Sequence, residues 1–309
     1  MLIFLSSFTI KHLEMYLECF PDAKINVLLS YGLRNSDTER FLKTHYHRIG
    51  YLILDSGAYT LNNAKTQKIK DQITLPGYAA FLKKIGSYFL FAFNYDANFG
   101  YDGFYENAKN MQFLLGQGNK NIVPVMHAYT CEEADRFIAD GNKIIALGFS
   151  PEGKKNRKNI RKFSEYFHEH GVKVHALGAT SWKILADTPV AYADSSSWVQ
   201  YGKYGTVVFW NDSKAVVTGT GQVDYSKCCE TYYFYDDASK PRKPNKVYYD
   251  QLSETHPLPQ FVEKYLKCDW FDLLNKKATD LRTMVNIYFF QKLQEKVTEH
   301  HANNGWYFD

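Results

Sequence analysis

Eight short apolar runs recur along the first part of the chain, at 2–6, 25–30, 51–55, 88–96, 121–127, 143–149, 173–177 and 190–194. Most are followed by a polar or amphipathic stretch long enough for a helix, near 9–19, 36–43, 76–86, 102–116, 131–140, 156–170 and 181–187. Strands that read as continuous apolar runs are buried on both faces, and their alternation with helices predicts parallel βαβ units. Eight such units in about 200 residues are the count and length of a small (β/α)₈ TIM barrel. A doubly wound open sheet is the competing architecture, but no Gly-rich nucleotide fingerprint follows the first strand.

The pattern changes after the eighth run. Residues 206–213 and 214–221 read as a β-hairpin, a polar Pro-containing stretch occupies 236–246, and helices follow from about 258. The expected organisation is a catalytic barrel over 1–205, with a β-hairpin and helical extension over 206–309 packed on it. At 309 residues and 45% hydrophobic composition the chain can build one large core, and no stretch approaches a membrane span. The N-terminus MLIFLSSFTIKH lacks a basic leader and a small-residue cleavage site, so it reads as a first buried strand. The five cysteines are scattered, which suggests a reducing cytoplasm, or a host cytoplasm if the chain is phage-encoded. A net charge of +4 does not by itself announce a nucleic-acid binder.

The polar residues that end the strands carry the functional argument. Strand three ends in Asp55-Ser56-Gly57-Ala58-Tyr59, strand four in Asn94-Tyr95-Asp96, strand five in His127 and strand six in Gly148-Phe149. Strand seven runs into Leu177-Gly178-Ala179-Thr180, and strand eight into Asp194-Ser195-Ser196-Ser197-Trp198. In a barrel all of these share the C-terminal mouth, where active sites are built. A single carboxylate there would be an ordinary helix cap; three, with a histidine, point to a catalytic cluster. Two facing carboxylates can break a glycosidic bond, one attacking the anomeric carbon and the other moving the leaving group's proton. A third could accept hydrogen bonds from a donor-rich planar base such as guanine.

These tags resemble the tRNA-guanine transglycosylase superfamily, and within it the enzymes that insert 7-deazaguanines into DNA. DSGAY (55–59) is similar to the family's DSGG-aromatic loop, FNYD (93–96) to its base-recognising strand-four segment, and PVMH (124–127) to a strand-five segment that normally ends in Gln. ALGFSPEG (146–153), HALGATS (175–181) and AYADSSSW (191–198) are similar to the strand-six, strand-seven and nucleophile loops. The resemblance covers roughly residues 50–200. It implies Asp194 as nucleophile and Asp55 as general acid/base. Asp96 would bind the amine edge of the base, with Ser56 and Gly178 in the same pocket. His127 would replace the Gln, and the Gly148 backbone would meet the base carbonyl beside Phe149. Tyr59 and Leu177 would sandwich the ring. The polymer would be DNA, with tRNA as the alternative, and the second substrate a free 7-deazaguanine such as 7-cyano-7-deazaguanine. Accessory DNA-modification proteins would be further partners, and no membrane is involved.

The tRNA enzymes carry C-x-C-x-x-C and a later His that hold zinc. This chain has only Cys228-Cys229 and Cys268, so neither a metal nor a cofactor is expected. The run Lys154, Lys155, Arg157 and Lys158 could neutralise phosphates, or simply be a solvated helix start. Lys240, Arg242, Lys243 and Lys246 form a second basic cluster that reads rather as a linker. Trp198 could support an extruded base or pack in the core. A retaining glycoside hydrolase using the same carboxylates, and a non-catalytic nucleic-acid-binding relative, are the alternatives from other classes.

Overall fold

The computed structural model describes residues 1–33, 38–148, 157–219, 221–235 and 242–308. The chain divides into two compact units, one made of Met1–Phe8, Lys24–Ser195 and His301–Asp309, the other of Thr9–Ala23 and Ser196–His300.

The first unit is a TIM barrel. Its parallel strand segments are β1 (Leu2–Ser6), β2 (Ile25–Ser30), β3 (Ile49–Asp55), β4 (Phe91–Phe93), β5 (Ile122–Val123), β6 (Val125–Met126), β7 (Ile144–Leu147), β8 (Lys173–Ala176) and β9 (Tyr192–Ser195). They lie in the order β5-β4-β3-β2-β1-β9-β8-β7-β6. The two ends of that order are halves of a single strand split at Pro124, so the sheet nearly closes on itself. Proline removes one ladder donor but keeps its acceptor. Asn94 N–H donates to the Val123 carbonyl at 2.8 Å on one side, and Ala146 N–H to the Pro124 carbonyl at 3.0 Å on the other. The barrel interior is filled by Phe4, Leu28, Ile53, Phe91, Phe93 and neighbours, with Phe308 from the chain's end packed against them.

Helices follow the strands where the amphipathic stretches predict them, for example Leu75–Ile85, Gly103–Gly116, Cys131–Ala139 and Arg157–Glu169. Threonines start two of them: Thr74 Oγ1 accepts from Gly77 N–H and Thr130 Oγ1 from Glu133 N–H. Two short helices after β3, Ala58–Asn62 and Gln67–Gln72, have no counterpart in the sequence reading. Among the described residues no helix is long and apolar enough to cross a membrane.

The second unit departs from the linear reading in two ways. Helix Ile10–Cys19 belongs to it although it connects β1 to β2. Its C-terminal end explains why, because Phe20 meets Phe261, Tyr265 and Tyr288 at ring-centroid distances of 6.1, 4.9 and 5.9 Å. The expected hairpin is also re-paired. β10 (Thr206–Trp210) runs antiparallel to β13 (Cys229–Tyr233), which is parallel to β14 (Val247–Tyr248). The hairpin itself is the short pair β11 (Val216–Val217) and β12 (Val223–Asp224). Every residue of β10 is buried whereas Val216 and Val217 are exposed, so those two valines could not cover it.

Helix Thr279–Asn303 ties this unit together through buried polar groups. Asn286 accepts from Val208 N–H at 2.8 Å and donates to the Trp198 carbonyl at 2.9 Å and the Thr206 carbonyl at 3.3 Å. Arg282 donates to the Gly202, Leu273 and Asn275 carbonyls. Replacing Asn286 with Leu leaves those backbone groups buried and unpaired. The expected loss is about 3 kcal/mol or more, since each of the three groups costs roughly 1–3. Urea unfolding checks this; an unchanged midpoint would exclude the bridging role of Asn286.

Candidate active site

Parallel strands bring their C-terminal ends to one mouth, and register decides which side chains meet there. β2 and β3 pair with Ser30 opposite Asp55. That alignment lets Ser30 Oγ donate to Asp55 Oδ2 at 2.8 Å, and Gly57 N–H donates to the same oxygen at 3.1 Å. Gly57 sits at φ +85°, where a Cβ would lie 2.6 Å from the Gly32 backbone, so the turn that aims this N–H requires glycine. Among the described residues nothing bonds Asp55 Oδ1.

Asp194, on β9, is held in the same manner. His175 Nε2 lies 3.0 Å from Asp194 Oδ1, and Gly178 N–H donates to that oxygen at 2.9 Å. Among the described residues Oδ2 has no partner. Asp96 differs. Its Oδ1 accepts from Ser56 Oγ at 3.3 Å and its Oδ2 lies 2.8 Å from His127 Nε2. Both oxygens are engaged, although each keeps a second lone pair.

Asp55 lies in the field of the other two carboxylates. Burial pushes the Asp55 carboxyl up to about 6; the Ser30 and Gly57 hydrogen bonds oppose that rise, and the charges of Asp96 and Asp194 add to it. Glu133 is also raised by burial, against hydrogen bonds from the His127 and Ala128 backbone N–H groups. It anchors the loop that carries His127.

Several expected site residues sit otherwise than the sequence suggests. His127 is buried against Asp96 with Phe99 stacked on its ring at 4.6 Å, so it supports Asp96 rather than facing a ligand. The Gly148 N–H is spent on the Met126 carbonyl at 3.0 Å, and its own carbonyl accepts from Tyr129 OH at 2.6 Å. No Gly148 donor is left for a base carbonyl. Its glycine character has another cause: a Cβ there would come within 2.7 Å of the His127 ring. Trp198 is 0% exposed, edge-on to His12 at 4.9 Å, and offers no face to a base.

Tyr59, 57% exposed on the short helix after β3, and half-buried Leu177 remain as surfaces for a flat ligand. Phe149, Lys154 and Lys155 lie outside the described residues. Arg157 donates to the Lys183 carbonyl and pairs with Asp187 at 3.5 Å, whereas Lys158 is exposed on the same helix's first turn. Of the second basic cluster, Lys240 lies outside the described residues and Arg242 pairs with Asp250 at 2.6 Å. The thiols of Cys228 and Cys229 are pushed up to about 11 and about 12 by burial. Among the described residues no three His, Cys, Asp or Glu side chains group as a metal site would need.

Sequence reasoning missed Ser30, His175, Phe99 and Glu133. Ser30 is legible as the polar end of the second strand, and His175 as a polar side chain in the middle of a short, mostly apolar strand. Phe99 and Glu133 carry no comparable signal.

The linkage at Asp55 has a definite sign. Its folded value lies above the ordinary 3.8, so the folded protein holds this proton more tightly than the unfolded chain does. Ionising it costs stability between about pH 4 and about pH 6, and that cost persists at higher pH. Asp55→Asn should therefore raise Tm by a few degrees at about pH 8, and the gain should vanish below about pH 4. A variant equally or less stable than the parent at pH 8 would show that the carboxylate is not strained there.

No family model matches the chain, and no curated protein matches it. Similar solved structures include one described as native KDPGal, at 11% identity and TM-score 0.38, covering 64% of this chain and 82% of that one. An enolase protein from the environmental genome shotgun sequencing of the Sargasso Sea matches at 9% identity and TM-score 0.41, covering 62% of this chain and 54% of that one. The β-methylaspartase from Clostridium tetanomorphum matches at 12% identity and TM-score 0.37, covering 62% of this chain and 52% of that one. Likeness at this level says nothing about chemistry.

Proposed function

We propose that the protein is a base-exchange glycosyltransferase that replaces guanine in DNA with a 7-deazaguanine through a covalent Asp-glycosyl intermediate. One observation carries the reading. Asp194 and Asp55 end strands of one barrel mouth, each with one oxygen held by two donors and the other without a partner among the described residues, and Asp55 stays partly protonated near neutrality. That is the division of labour that displacement at an anomeric carbon requires. The resemblance of the strand-end loops to guanine transglycosylases supplies the substrate class.

In the first half-reaction an Asp194 oxygen bonds to C1′ as the bond from C1′ to the base nitrogen breaks, and Asp55 gives its proton to the departing guanine. In the second, Asp55 takes a proton from the incoming 7-deazaguanine, whose nitrogen bonds to C1′ as the Asp194 ester bond breaks. Two inversions keep the configuration, and both carboxyls return to their starting states. Asp96, held by Ser56 and His127, accepts from the base amine, while Tyr59 and Leu177 flank the ring. The target nucleotide must leave the stack to reach the mouth, and Lys158 with its basic neighbours would meet the flanking phosphates.

Asp194→Asn should abolish both exchange and the covalent adduct, with at least a 1000-fold loss on the order seen when a nucleophile is removed. The assay is release of labelled guanine from single-stranded DNA, duplex DNA and unmodified tRNA at one matched salt concentration. Exchange on tRNA alone would move the substrate and keep the chemistry. Sugar hydrolysis with no base exchange on either polymer would replace the reading with a retaining glycosidase.

The pH dependence follows from Asp55. Leaving-group protonation needs its acid form, so single-turnover guanine release should fall about tenfold per pH unit above about 6. A flat profile between pH 6 and 8 would remove Asp55 from the acid role.

A further inference from the structure

The geometry points to His175 as the positioning residue that selects which oxygen of Asp194 attacks, leaving Oδ2 as the nucleophilic atom. Its kinetic consequence rests on the glycosyl-transfer reading above; its structural content does not.

His175 lies within β8, fully buried. Its ring is enclosed by other rings: Phe93 at 4.9 Å edge-on, Phe91 at 6.0 Å edge-on, Phe4 at 6.2 Å and Tyr192 at 6.4 Å. Nε2 lies 3.0 Å from Asp194 Oδ1, while Nδ1 is buried with no hydrogen-bond partner among the described residues. An ionised carboxylate only accepts, so the nitrogen facing it must carry the proton. A bare lone pair at Nδ1 costs less in an aromatic enclosure than a buried N–H without an acceptor. The ring is therefore the Nε2–H tautomer.

The two donors on Oδ1 come from different directions of chemistry, one a side chain locked in the barrel core and one the Gly178 backbone at φ +58°. Together they fix the carboxylate's rotation and occupy the lone pairs of Oδ1. Oδ2 keeps its lone pairs free for C1′. The aromatic enclosure prevents the imidazole from turning, so the oxygen choice is built into the interior of the barrel.

The test combines a measurement without substrate and one with it. Long-range 15N–1H correlation spectra of the 15N-histidine protein should show His175 protonated at Nε2, with Nδ1 bare. Its resonances should move in Asp194→Asn and stay unmoved in Asp96→Asn. A proton on Nδ1, or no response to Asp194→Asn, overturns the proposal whatever the reaction proves to be.

In the exchange assay His175→Phe, which keeps the ring and removes the donor, should lower kcat about 100-fold, the cost of an ångström-scale misplacement. KM for the free base should stay unchanged. His175→Gln, which restores an N–H at similar reach, should recover most of that loss. A filler residue would give the opposite pattern, with Phe tolerated and Gln disruptive, and that result would overturn the positioning role. A parent protein that exchanges no base on any polymer sinks the functional reading instead, and the spectra then decide the role of His175 by themselves.

Discussion

Three carboxylates are drawn largely out of water at one barrel mouth, and that burial is the constraint that much of the first unit answers. Bringing anions out of water into each other's field is costly unless each is given donors or a proton. Each of the three is answered differently. Asp194 receives an imidazole N–H and a backbone N–H, Asp96 a hydroxyl and an imidazole, and Asp55 a hydroxyl and a backbone N–H that do not fully offset its burial. Burial therefore lifts the Asp55 carboxyl above the ordinary carboxylate range.

Those donors exist because of features deeper in the barrel. Ser30 reaches Asp55 only in the register that pairs the ends of β2 and β3. His175 reaches Asp194 only because its strand runs beside β9, with His175 opposite Tyr192 and Ala176 opposite Ala193. His127 meets Asp96 because Gly148, next door, has no Cβ to displace its ring. A one-residue slip in any of these pairings would turn the donor outward, so the strand register also sets the electrostatics of the mouth.

This explains what was legible in the sequence. The eight apolar runs and the carboxylates that end three of them are local patterns, and a parallel barrel converts the position "end of strand" into the position "mouth" without further information. The donors are not local. KVHAL shows a histidine in an apolar run but not which side chain it meets, and the partner of Ser30 lies 25 residues away. The same limit applies to helix Ile10–Cys19, whose companions Phe261, Tyr265 and Tyr288 come from the far end of the chain. A strand such as β10 meets it too: every side chain is buried, so its sequence shows no alternation by which to choose a partner.

The donor pattern also separates the carboxylates by what each can still do. An oxygen with two donors has little basicity left, and one with none retains it all, so an unevenly held carboxylate presents a single reactive atom while an evenly held one presents two weak acceptors. Asp55 and Asp194 are of the first kind, and Asp96 is of the second. Bond making and proton transfer each need one strongly basic or acidic oxygen at a defined point. Recognition of a planar donor edge needs a carboxylate that stays put while a ligand comes and goes. His127 and Ser56 give Asp96 that steadiness, and Phe99 stacked on His127 steadies it in turn. Under the proposed reading, replacing His127 with an amide would therefore change the firmness of Asp96 more than it changed any direct contact with the base. The histidine is then a support for the acidic reader, which explains how a residue buried behind the site can sit where a strand-end contact was expected.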